Sequence, residues 1–136
     1  MADNKVSVQI GKENYSTRVK MRQHELISDE PKDIGGADLG PKPSELLAAS
    51  LGACMAITMR MYAERKEWPL EEVKVELSLE TEEVEHDGIT ATRNVFQAKV
   101  ILKGNLDEAQ EKRIRLIGTK CPIHKLLHEA SVIRMS

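Results

Sequence analysis

Cys54 and Cys121 are the two cysteines of this chain and the residues best suited to covalent chemistry. Their settings differ. Cys54 stands in a run from position 46 to 59 with no charged residue, although charged residues make up 31% of the chain. A thiol in apolar surroundings has a raised pKa and is inert unless a cation lies near it. Read alone, Cys54 is packing. Cys121 precedes Pro122, and proline favours the first helical position, which makes Cys121 an expected N-cap. Its thiol then sits at the positive end of a short helix, with Lys120, His124 and Lys125 close in sequence. Each of these lowers a thiol pKa, toward a range of roughly 3.5–7.5, so for Cys121 a reactive and a structural reading both stand. Two thiols of these characters suggest a couple in which one attacks and the other resolves it as a disulfide. They are far apart in sequence, and only the fold decides whether they meet.

Other chemistries fit less well. Cys121 and His124, with Cys54 and a further histidine, could supply four zinc ligands. The Cys-x2-His spacing lacks a second close pair, and no metal or cofactor is expected. Ser50 and Thr58 lie one turn from Cys54 on either side. Such side chains commonly bond back to helix carbonyls, or they could hydrogen-bond a thiolate. Glu45 falls about half a turn out of phase with Cys54 at ~3.6 residues per turn, so it cannot easily reach the thiol. No Ser/His/Asp order, phosphate loop or dinucleotide fingerprint is present. The clusters Glu80-Glu82-Glu83-Glu85 and Lys112-Arg113-Arg115 read as solvated faces.

The elements that must position these thiols follow from periodicity. A helix over 43–67 is expected, opened by Pro43, with Glu45 favoured in its first turn by the helix dipole, and stopped by Trp68-Pro69. It is apolar on every side and is therefore predicted as a buried core helix. Its uncharged run is short of the roughly 20 apolar residues of a lipid span. Strands are expected over 5–10, 15–21 and 24–28, then over 72–81 and 93–103, the clearest having Val73, Val75, Leu77 and Leu79 on one face. A loop marked by Pro31, Gly35, Gly36, Gly40 and Pro41 fills 29–42. Residues 82–88 form an acidic tip ending in Asp87-Gly88, a strong turn signal. Helices over 106–119 and from Cys121-Pro122 to about 128 follow, with a possible last strand over 132–135. This order is α+β with mostly antiparallel pairing. A helix apolar all round needs cover on two sides, and one small sheet covers one, so a homodimer sandwiching the helix is expected.

The totals limit the function. At 136 residues the chain is expected to form a single domain over 1–136. A formal charge of −2 offers no electrostatic reason for nucleic acid or a membrane surface as partner. The aromatic residues, Tyr15, Tyr62, Trp68 and Phe96, form no base-stacking platform. The N-terminus lacks the apolar stretch of a signal peptide, and two cysteines do not make a secreted disulfide scaffold. A cytoplasmic protein with reduced thiols is expected.

Taken together, Gly35-Gly36, the run Gly40-Pro-x-Pro-Ser-Glu-Leu-Leu-Ala-Ala-x-Leu-Gly-Ala-Cys54 and Cys121-Pro-x-His resemble the OsmC/Ohr family of thiol-dependent peroxidases. The resemblance spans nearly the whole chain. It implies an intertwined homodimer of α+β subunits, with long central helices buried between mostly antiparallel sheets and active sites at the dimer interface. It implies that Cys54 attacks the O–O bond of an organic hydroperoxide to become a sulfenic acid, and that Cys121 resolves it as a disulfide. A dithiol reductant, of lipoyl type in the best-known branch, would restore both thiols. The pattern also departs from the hydroperoxide-resistance branch, whose Glu after the helix-opening proline falls on Ser44 here. That branch's hairpin Arg falls near Lys12 or Glu13. The resemblance is therefore to a divergent OsmC-like branch, in which Lys12, Arg18, Arg22 or His124 are the candidate activating cations. The rival expectation is a non-catalytic OsmC-like dimer that binds a small apolar ligand at its interface.

Overall fold

The alternation at the start of the chain builds a small meander. The structure, a computed structural model, describes residues 5–136; residues 1–4, on which the expectation about a signal peptide partly rests, lie outside them. Strands β1 (Ser7–Ile10), β2 (Thr17–Met21) and β3 (His24–Ser28) form an antiparallel sheet in the order β1-β2-β3. Val19 faces Val8 on one side and Leu26 on the other. Thr17, Val19 and Met21 are half-buried while Arg18 and Lys20 are exposed, as the period of two requires. The chain divides into two compact units, Met1–Leu47 and Ala48–Ser136.

The loop after β3 is held by its own polar groups. Asp29, 1% exposed, accepts hydrogen bonds from the backbone N–H of Glu30 at 2.8 Å and of Leu39 at 3.1 Å. The Asp29 N–H and the Ser28 hydroxyl both donate to the Pro41 carbonyl, at 3.1 and 2.8 Å. A short 3₁₀ turn at Lys32–Ile34, not foreseen in the sequence, lies inside this loop. Gly36 and Gly40 are needed for close approach: a Cβ would stand 1.9 Å from the carbonyl oxygen of Glu30 or Ile27, respectively.

Helix α1 (Pro43–Lys66) opens on the predicted proline. The Glu45 carboxylate accepts the Lys42 N–H at 3.0 Å, one half of a capping box. At the other end the Trp68 N–H reaches the Ala63 carbonyl and the Glu67 N–H the Glu64 carbonyl, with Glu67 left-handed at φ 57°. This is a Schellman stop, one residue earlier than expected.

In the second unit α1 buries a stripe of Leu51, Gly52, Met55, Met59 and Ala63. Burial on every side, expected for this helix, is not found within one chain: Ala53, Ile57 and Met61 are exposed. The stripe meets a long antiparallel hairpin of β4 (Leu70–His86) and β5 (Ile89–Gly104). Val73, Val75, Leu77, Phe96, Val100 and Leu102 pack against the buried cluster. Gly52 lets the helix come close, with a notional Cβ 2.7 Å from Leu77 Cδ1. Both strands extend beyond the predicted ends, into the acidic tip. Asp87 (φ 51°) and Gly88 (φ 77°) turn the chain in two residues, so pairing continues from Glu82–Arg93 to His86–Ile89. An Arg93–Glu82 ion pair spans the outer strands.

Helix α2 (Glu108–Gly118) starts two residues later than the apolar stripe predicts, because Asp107 is its N-cap in a full capping box with Gln110. Gly118 lies under Met59, with a notional Cβ 3.1 Å from its sulfur. Helix α3 (Pro122–His128) follows directly. The expected last strand is absent: residues 130–136 have no regular structure, and Val132, Ile133 and Met135 are exposed. Two alternating apolar residues do not make a strand without a ladder to join. By length and composition α1 is, among the described residues, the helix able to cross a membrane. A packed core helix meets the same test, and α1 carries its Met59–Ala63 stripe inside the protein.

Candidate functional site

Cys121 is held by the start of α3. Pro122 occupies the first turn, and the Cys121 Sγ accepts the His124 N–H at 3.3 Å, so the thiol caps the helix as predicted. It is 0% exposed, within the cluster that also holds Met55, Met59 and Ile114. The Cys54 side chain, from the flank of the buried stripe of α1, packs against the same cluster, close enough to act on the Cys121 thiol. The fold therefore brings the two thiols together. Both are unbonded to each other, and Cys54 is the more accessible of the two, half-buried where Cys121 is sealed.

The expectation of a depressed Cys121 pKa is corrected by its burial. Desolvation pushes the thiol up, and the neighbouring Cys54 pushes the same way. The N–H groups of His124 and Ile123 pull it down without reversing the outcome. The helix end does what the sequence predicts, but the apolar wall around it weighs more.

The candidate cations are distributed unequally. His124 lies beside the pair through its backbone. Arg18 is engaged on the first sheet with Glu25, Nε to carboxylate 2.9 Å; Lys12 and Arg22 are exposed residues of the first unit, in turns of its meander. Ser44 is exposed at the start of α1, and Glu45 is occupied at the Lys42 N–H, as its helical phase requires. Among the described residues no group of three or more His, Cys, Asp or Glu side chains could hold a metal ion.

An open cavity of about 710 Å³ adjoins the site. Leu51, Met55, Phe96 and Leu127 give it an apolar wall, and His124 and Arg115 a polar one. Arg115 donates to the Val100 carbonyl at 2.5 Å, and His124 stacks on His128 with ring centroids 6.2 Å apart. Sequence reasoning missed Arg115 and Phe96. Arg115 was indistinguishable from its solvated neighbours Lys112 and Arg113, and Phe96 was legible only as a strand residue.

The sequence profile of the OsmC-like protein family matches residues 35–136, well over half of the chain and including both cysteines. The chain belongs to this family. Three solved relatives show the same fold. An OsmC-like protein from Mycoplasma pneumoniae is 19% identical, with a TM-score of 0.72 over 91% of this chain and 86% of that one. The organic hydroperoxide resistance protein OsmC from Legionella pneumophila is 18% identical, with a TM-score of 0.60 over 90% and 87%. An OsmC-like hydroperoxide resistance protein from Jannaschia sp. CCS1 is 20% identical, with a TM-score of 0.57 over 96% and 87%. No curated protein matches the sequence. The OsmC-like fold is thus an α+β arrangement of antiparallel sheets with one long helix, as the sequence predicts.

Proposed function

We propose that this OsmC-like protein is a thiol-dependent peroxidase for organic hydroperoxides, working as one functional domain in a cytoplasmic homodimer. The observation that carries the reading is a half-buried Cys54 packed against the buried cluster that contains the sealed Cys121. The accessible sulfur is the one a peroxide meets. Cys54 attacks the O–O bond, taking the terminal oxygen to become a sulfenic acid and releasing the alcohol. Cys121 then attacks the Cys54 sulfur; water leaves and the disulfide forms. The N–H groups of His124 and Ile123 stabilise the Cys121 thiolate in that second step. A dithiol reductant returns both thiols and leaves as its own disulfide.

The apolar side of the neighbouring cavity, Leu51, Met55, Phe96 and Leu127, favours an organic peroxide over hydrogen peroxide. The hydroperoxide resistance proteins among the structural relatives support the same substrate class. The dimer is supported by the exposed Ala53, Ile57 and Met61 beside Cys54 on α1, an apolar surface that a second copy would cover.

The test uses reduced protein and about one equivalent of cumene hydroperoxide, read by intact mass and peptide mapping. A rapid Cys54–Cys121 disulfide is expected, with Cys54→Ser inert and Cys121→Ser trapped as a Cys54 sulfenic acid. Two free thiols after long exposure would overturn the enzyme and favour the non-catalytic dimer with an apolar ligand.

A further inference from the structure

We propose that the open cavity beside α3 is a binding site for an aromatic carboxylate, its carboxylate held by Arg115 and its ring by the apolar wall. Five elements of the second unit converge on this cavity of about 710 Å³, within the roughly 300–1,000 Å³ of small-molecule sites. Core side chains make its floor: Leu51 and Met55 of α1 line it and are 4% and 5% exposed. Phe96 of β5 supplies a ring. His124 and His128, one turn apart on α3, supply two more, stacked at 26° with centroids 6.2 Å apart. Aromatic rings attract one another edge-to-face or offset, and the thioether of a methionine such as Met55 favours a ring as neighbour. An alkyl chain gains neither.

The charges in the wall select an anion. Arg93 and Glu82 both line the cavity and cancel each other, Nε to carboxylate 2.7 Å. Arg115 forms no ion pair among the described residues. Its Nη1 donates to the Val100 carbonyl at 2.5 Å, which fixes the guanidinium and leaves the rest of its five N–H donors for a ligand. The cavity therefore carries one uncompensated positive charge before its histidines are counted. A planar guanidinium matches a carboxylate with two parallel, charge-assisted hydrogen bonds, a geometry that a neutral amide of the same shape does not offer. Neither cysteine is among the lining residues. A carboxylate resting on Arg115 needs no reaction with sulfur, so this binding does not depend on the peroxidase reading.

The experiment is isothermal titration calorimetry of the reduced full chain with 2-naphthoate, 2-naphthamide and decanoate. One 2-naphthoate per chain is expected, with a Kd of about 10 μM to 1 mM for a ligand of its size. It should bind about 10-fold more tightly than the neutral 2-naphthamide, the share of one charge-assisted hydrogen bond. Arg115→Gln should erase that preference while 2-naphthamide binds as before. In spectra of protein labelled at the methionine methyls, the Met55 signal should move under the naphthyl ring and the Met21 signal of the first unit should not. Equal binding of acid and amide by the wild type, an undiminished preference in Arg115→Gln, tighter binding of decanoate, or an unmoved Met55 signal would each overturn the site. So would the absence of saturable binding up to about 1 mM. The comparison of acid with amide needs no variant and stays decisive if Arg115→Gln fails to fold. No peroxide enters the experiment: a protein that binds 2-naphthoate but forms no disulfide keeps this site and loses the peroxidase, and the opposite pair of results does the reverse.

Discussion

At Cys121 two opposing effects act on one sulfur. The N–H groups at the start of α3 favour the thiolate, while the surrounding Met55, Met59 and Ile114 exclude the water that would solvate it. Burial wins, and Cys54 adds to it, so the folded thiol titrates above its ordinary value. A thiol pKa raised by folding favours the neutral form in the native state. Its stabilising contribution is intact below the unfolded value of about 8.5 and is lost as pH rises through the folded one. Thermal melts of reduced protein from neutral to alkaline pH should therefore show falling stability above about pH 8.5, and Cys121→Ala should flatten that slope. An equal slope in both proteins would assign the loss to other groups.

Among the elements, glycines set how closely neighbours approach. The two that close the loop before α1 face backbone: a Cβ on Gly36 or Gly40 would stand 1.9 Å from a carbonyl oxygen. Backbone has no rotamer to escape into. Gly52 faces the end of the Leu77 side chain at 2.7 Å, and that side chain can turn away. Gly40→Ala should thus cost about 1–3 kcal/mol, as overpacking does. Gly52→Ala gains up to about 1 kcal/mol of helix propensity against its contact, so its net change should stay within about 1 kcal/mol. Urea unfolding of the three proteins checks both, and equal losses would refute the distinction. The loop matters because it delivers the chain to Pro43, from which α1 carries Cys54 to the site.

On the scale of the whole molecule, the exposed stripe of α1 is the feature left unexplained by a single chain. Ile57 and Met61 are 54% and 56% exposed, on a helix whose opposite stripe is fully buried. Exposed apolar surfaces are commonly interaction sites, and a second copy of the chain is the partner proposed above. Wild-type protein should run as a dimer in size-exclusion chromatography with light scattering, and Ile57→Glu or Met61→Glu should shift it to monomer. A wild type that is monomeric at the concentrations used would remove the dimer from the proposal. The same variants carry Cys54 and Cys121 unchanged, so their peroxide-driven disulfide reports whether a second copy completes the site.

What the sequence determined by itself was local. The alternation of β2 and β4, the Asp87-Gly88 turn, Pro43 opening α1 and Cys121 capping α3 are consequences of a few neighbouring residues, because backbone preference and period act over one or two turns. The phase of Glu45 against Cys54 was legible for the same reason. The tertiary structure decided what depends on distant residues. It brought Cys54 to Cys121 from remote positions, set burial above the helix end in the Cys121 thiol, and picked Arg115 out of a run of similar cations to line the cavity. It also denied the tail around Val132 a strand, since a strand exists only where another offers it hydrogen bonds. Desolvation and pairing are sums over neighbours in space, and spacing along the chain does not contain those sums.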